Sequence, residues 1–114
     1  VLAIDPPAPA ARAVRAPRIA LAGCGTVGDA FVRLLHADGP ALAEAGLAPA
    51  VVRVLVRDAA KVRPAVVHGA LARHRIVTDP DALLADDVDT LVEATGDVAL
   101  ARGLVTAALR RGLH

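Results

Sequence analysis

The apolar positions of this chain change period at one point, and that change organises the rest. Ile19-Ala-Leu-Ala22 is an unbroken apolar run, the pattern of a strand buried on both faces. After Gly23 the apolar positions fall at Val27, Ala30, Phe31, Leu34 and Leu35, the spacing of one face of a helix. That helix is predicted from Thr26 to about Ala37, where Asp38-Gly39-Pro40 reads as a stop. A connection over Ala41 to Ala50, with room for one helical turn, leads into Val51-Val-Arg-Val-Leu-Val56, a second buried strand. Val62 to Arg75 shows no clear period. Ile76-Val77-Thr78 then predicts a short strand, and Pro80 to Leu84 a short helix capped by Thr78 or Asp79. Thr90 to Glu93 is a further strand, closed by the turn Ala94-Thr-Gly-Asp97. Val98 to Arg111 is the last helix, with Leu100, Leu104, Ala107, Ala108 and Leu109 on its apolar face and Gly112 as its C′ residue. Strand and helix alternate throughout, which predicts an α/β fold with a doubly wound, mostly parallel sheet and helices on both faces.

The turn between the first strand and the first helix reads Gly23-Cys24-Gly25-Thr26-Val27-Gly28. This is the Gly-x-Gly-x-x-Gly fingerprint of a Rossmann dinucleotide site, in its required setting after a strand and opening a helix. Gly23 permits the tight turn, Gly25 removes the Cβ that would keep a pyrophosphate from the backbone, and Gly28 lets helix and strand approach. The unbonded N–H groups of the helix's first turn, with the positive end of its dipole, would face the phosphates. A right-handed crossover brings the end of the second strand to the same edge, where the sequence reads Arg57-Asp58-Ala-Ala-Lys61. An acid there accepts from the adenosine ribose 2′-hydroxyl, whereas an arginine accommodates a 2′-phosphate. Arg57, with Lys61 as a second cation, favours NADP, and Asp58 keeps NAD open. Thr95 and Gly96 end the later strand at that edge, where a hydroxyl and a bare backbone can meet ribose or nicotinamide; Glu93 could accept from a hydroxyl or ligate a cation. The plain alternative is that Thr95 and Gly96 only make the turn and that Thr95 or Asp97 caps the helix.

Composition narrows the class. At 114 residues and 55% hydrophobic, the chain is one domain with a real core, shorter than a complete two-domain dehydrogenase. With one Phe and no Trp, Tyr or Met, that core must be aliphatic. Arginines outnumber the single lysine, yet the net charge is only +1, the arginines are scattered and no aromatic platform exists for bases, so no nucleic-acid partner is expected. No apolar run reaches the ~20 residues of a membrane span, so no membrane partner is expected either. Cys24 is the sole cysteine, which excludes an intramolecular disulfide and fits a reducing, cytoplasmic compartment. Near a helix N-terminus its thiol could be activated, but no partner base is identifiable, and a small side chain filling the turn is the favoured reading. His68 and His74 complete no metal-ligand set, so no metal is expected. His36 falls late in the first helix, where a positive charge favours the C-terminal dipole. Residues 1–17, rich in Ala and Pro, are expected to form a flexible leader, and 18–114 the dinucleotide-binding domain.

Several of these features occur together in one order: the glycine turn, Val56-Arg-Asp-Ala-Ala-Lys-Val-Arg-Pro64, Thr78-Asp-Pro-Asp81, Val88 to Glu93 with Gly96, and Ala107-Ala-Leu-Arg-Arg-Gly-Leu-His114. The ordered set resembles the N-terminal NAD(P)-binding domain of homoserine dehydrogenase from Arg18 to His114. The resemblance implies NAD(P)-dependent interconversion of L-homoserine and aspartate 4-semialdehyde, on the route to threonine and methionine. It also implies that Cys24, Thr26 and Val27 lie against the cofactor phosphates and ribose, with Arg57 and Lys61 near the adenosine 2′ position. Two departures stand out. Gly112-Leu-His114 replaces the family's usual Gly-Lys-His, and the family's following segment and catalytic, dimerising domain are absent from this sequence, so the catalytic residues are unknown and the segment alone is expected to be inactive. Lys61, the only lysine, falls at the adenosine end, away from a reacting carbinol carbon. Another amino-acid dehydrogenase with a similar N-terminal domain, or a non-catalytic nucleotide-binding or interaction module, fits the same residues. An unpaired sheet edge would favour a homo-oligomer.

Overall fold

The structure is a computed structural model that describes residues 14–114. β1 (Arg18–Ala22) runs into α1 (Thr26–Ala37), followed by α2 (Gly39–Glu44), β2 (Ala50–Leu55) and α3 (Pro64–Val67). A 3-10 turn at Arg73–Arg75 precedes β3 (Ile76–Val77), and another at Pro80–Ala82 precedes β4 (Thr90–Glu93) and α4 (Val98–Arg110). α1 and β4 have the bounds their apolar spacing predicts. Asp38-Gly39-Pro40 does end α1, but it also begins α2, with Pro40 in the first turn. A proline there has the right φ, and the N–H it lacks would be unbonded in any case. Val62 to Arg75, without a readable period, holds α3 and the first 3-10 turn.

The four strands form one sheet in the order β3-β2-β1-β4, and every pairing is parallel. β1 therefore lies inside the sheet, with Leu21 opposite Val54 on one side and Val92 on the other. Successive side chains of a strand point to opposite faces, and the two cores divide accordingly. Leu21 and Val54 face Val32 of α1 and Ala65 of α3. Ala20, Ala22 and Val52 face Leu104 of α4, with Leu83 and Val88 from the preceding connection. Helices thus cover both faces, and the fold is the doubly wound one. The connection that carries Leu83 and Val88 is held by arginines. Arg53 and Arg18 both pair with Asp87, and Arg111 bonds the Leu84 carbonyl and Asp86. Scattered in sequence, these cations converge on one loop.

Of the leader expected over residues 1–17, residues 1–13 lie outside the described part. Arg15 forms a single parallel bridge with Leu47, donating to Gly46 O at 2.9 Å and accepting from Ala48 N at 2.7 Å. Among the described residues no helix is long and apolar enough to cross a membrane.

Candidate nucleotide-binding site

Because the strands are parallel, their C-terminal ends share one edge, and a cleft of about 320 Å³ opens there. Gly23, Cys24 and Gly25 form its floor, Arg57, Lys61 and Arg63 come from the segment after β2, and Ala94, Thr95 and Leu100 from the end of β4 and the start of α4.

The three glycines have separate structural reasons. Gly23 has φ +92°, and a Cβ there would stand 2.7 Å from the Ala94 carbonyl oxygen. The turn after β1 is therefore pressed against the end of β4 as well as bent. A Cβ on Gly28 would fall on the Gly23 carbonyl oxygen, so this glycine lets α1 begin directly over the turn. Gly25 differs: a Cβ on it meets nothing within 4 Å, and it lines the cleft. It is the α1 N-cap, and no side chain caps the helix. The N–H groups of the first turn have no intrahelical acceptor, and they adjoin the cleft at a positive dipole end. Thr26 and Val27 lie in this turn and are exposed, whereas Gly28 is buried beneath it.

Cys24 is buried and packs in the core beneath α1. Burial pushes its thiol up from the ordinary value, the nearby Asp29 carboxylate adds to that, and Arg63 opposes it. A raised thiol pKa disfavours the thiolate, which agrees with a space-filling role.

The cationic wall follows β2. Arg57 is well exposed and pairs with Asp97 at 3.1 Å. Asp58 turns its carboxylate onto the Ala60 N–H at 2.9 Å, so that group closes the loop. Arg63, which the sequence reading did not single out, is 6% exposed. Its Nη1 donates to the Lys61 carbonyl at 2.9 Å and its Nη2 to the Asp58 carbonyl at 2.8 Å. Nε is buried without a partner, and no carboxylate pairs with this guanidinium among the described residues. Arg63 both shapes the loop that carries Lys61 and leaves positive charge beside the cleft. Only its burial reveals this; the sequence shows a loop cation before a proline.

At the other wall, Glu93 accepts from the Thr95 N–H at 2.6 Å and from its hydroxyl, and that hydroxyl accepts from the Asp97 N–H at 3.0 Å. Asp97 caps α4, accepting from the Leu100 N–H at 3.1 Å. That bond above all, together with the Arg57 charge, holds the Asp97 carboxyl below the ordinary carboxylate range. Thr95 lines the cleft, but Gly96, at φ +72°, lines an adjacent hollow with Glu93 and Val98. Among the described residues no three His, Cys, Asp or Glu side chains are grouped to hold a metal ion.

A family model described as the homoserine dehydrogenase NAD-binding domain matches residues 23–114. The chain belongs to the homoserine dehydrogenase family. It is 38% identical over 96 residues to homoserine dehydrogenase of Corynebacterium glutamicum, a match that covers 82% of this chain and 20% of that enzyme. Two crystal structures of S. aureus homoserine dehydrogenase superpose on it with TM-scores of 0.77 and 0.75 at 25% and 27% identity. They cover 89% and 87% of this chain, which in turn covers 25% of each of theirs. The chain therefore spans a fifth to a quarter of the length of these homoserine dehydrogenases, and the part it spans is the nucleotide-binding domain. Leu113, expected to stand in place of a lysine, packs half-buried against the core beneath α4.

Proposed function

We propose that this domain binds NADP in preference to NAD, as the nucleotide-binding part of an enzyme that interconverts L-homoserine and aspartate 4-semialdehyde. The observation that carries the reading is the meeting of two kinds of anion site in one cleft. The uncapped start of α1 lies over Gly25, where no Cβ fills the space, and Arg57, Lys61 and Arg63 stand at the end of β2. The first suits a pyrophosphate and the second a 2′-phosphate. Asp58, the group that would favour a free 2′-hydroxyl, is engaged by its own loop. A bound nicotinamide would supply the hydride acceptor. The residues proposed to hold the dinucleotide are Gly23, Cys24, Gly25, Thr26, Val27 and Gly28 at the phosphates, Arg57 and Lys61 at the adenosine ribose, and Thr95 toward the nicotinamide, with Gly96 shaping the turn beside it from the adjacent hollow. Removal of the alcohol proton needs a base near the reacting carbon. Lys61 stands at the adenosine side, so the chain by itself binds cofactor without turning substrate over. A cytoplasmic location, supported by the unpaired Cys24, and self-association through the β4 edge complete the proposal.

Calorimetric titration with NADP and NAD at one salt concentration tests it. The expected result is tighter binding of NADP, with Arg57→Ala weakening NADP by about tenfold or more, as for a charge-assisted phosphate contact, while NAD changes little. Equal loss for both cofactors would remove the 2′-phosphate role.

A further inference from the structure

Arg57 is already engaged. Its Nη2 donates to Asp97 Oδ2 at 3.1 Å, across 40 positions of sequence. Since β1 lies between β2 and β4, the pair spans the C-terminal end of β1 and ties the cationic wall to the start of α4. The two ends are not equally free. Asp97 Oδ1 is fixed by the Leu100 N–H at 3.1 Å, and the Asp97 N–H is held by Thr95 Oγ1 at 3.0 Å. Arg57 ends in solvent, its side chain 85% exposed against 34% for Asp97. The carboxylate is a fixed post, and the guanidinium is the part that can leave it.

We propose that Asp97 competes with the 2′-phosphate for Arg57 and thereby sets how strongly the cleft prefers NADP to NAD. The proposal rests on the reading that Arg57 receives that phosphate. An exposed carboxylate pair is weak, whereas a phosphate offers a guanidinium a doubly charged, bidentate acceptor. The phosphate therefore wins the exchange, but its gain is reduced by the partner given up. NAD makes no claim on Arg57 and leaves the pair closed. Lys61 and Arg63 are the other cations at the cleft, and Asp58 is tied to Ala60, so Asp97 is the acid that faces Arg57.

Asp97→Asn separates this from the helix cap, because Asn caps as well as Asp and keeps an oxygen for the Leu100 N–H. Titrations of the chain, Asp97→Asn, Arg57→Ala and the double variant with NADP and NAD test the competition. Asp97→Asn is expected to tighten NADP by about three- to fivefold, the scale of an exposed ion pair, and to leave NAD unchanged. In the Arg57→Ala background that gain disappears. No gain, an equal gain for both cofactors, or a gain that survives without Arg57 overturns the proposal. Failure of the parent reading looks different, since Arg57→Ala would then weaken both cofactors alike. Asp97→Asn and Arg57→Ala lose the same ion pair, so equal thermal midpoints for these two variants confirm that the cap is kept.

Discussion

Three glycines share one six-residue turn, yet substitution at each should fail in a different way. Gly23 and Gly28 are required by the protein itself: one has φ +92° against the end of β4, and the other lies under the Gly23 carbonyl. Gly25 is required only by a ligand, because the space its Cβ would take is empty. Gly25→Val should therefore cost no more than about 1 kcal/mol, the preference of an N-cap for Gly over Val, and abolish binding of both NADP and NAD. Gly28→Ala should cost about 1–3 kcal/mol by overpacking, seen as a lower denaturation midpoint. If Gly25→Val lowers the midpoint further than Gly28→Ala does, or still binds either cofactor, the division of roles is wrong. Spacing makes the glycines legible because all three belong to one strand-to-helix turn, although the approach of Gly23 to Ala94 shows only in the fold. Arg63 is the contrary case. Its burial and its bonds to the Asp58 and Lys61 carbonyls depend on how the loop folds back, and no pattern in a loop reports that.

Elements divide along the same line. α1, β4 and α4 are legible because each carries its period and its ends: Gly25 before Thr26, Asp97 as cap of α4, and Gly112 at φ +72° after it. α3 is not legible, because what holds it is distant. Asp29, buried in the first turn of α1, accepts from the Ala65 N–H at 2.8 Å and from Arg33 Nε at 2.8 Å. It supplies from 36 residues away the capping bond that Arg63, the N-cap of α3, does not make. Four helical residues could not hold their shape in isolation. Asp29→Ala should thus destabilise the chain by about 2–3 kcal/mol, the loss of charged hydrogen bonds at a buried site, measured by urea unfolding. Hydrogen exchange should show the loss of protection concentrated at residues 63–71. A uniform loss across the chain, or a cost under ~0.5 kcal/mol, would mean that the packing of Ala65 suffices without the carboxylate.

At the scale of the whole molecule, the sheet is covered on both faces but not along β4. Among the described residues its one strand neighbour is β1, and on its outer side His114 accepts from the Leu91 N–H at 2.8 Å and donates to Asp89 O at 2.9 Å. Beside that edge, α4 turns Val98, Val105 and Leu109 outward, with exposures of 76%, 40% and 69%. Spaced seven and four residues apart, the three lie within one narrow stripe of the helix. The apolar face of α4 that the sequence shows is therefore two faces: Leu104 and Ala108 enter the core, and Leu109 does not. A partly covered strand edge next to an apolar stripe is suited to recruit another surface, and in a solution of this chain alone the expected occupant is a second copy. Sedimentation velocity over a wide concentration range should show reversible self-association. Val105→Lys with Leu109→Lys should weaken it by at least about tenfold, because two charges would be buried at the contact. Both residues are exposed in the single chain, so the thermal midpoint should hold. A monomer at every concentration would assign the stripe no role in self-association. Association untouched by the two lysines would leave the strand edge as the contact.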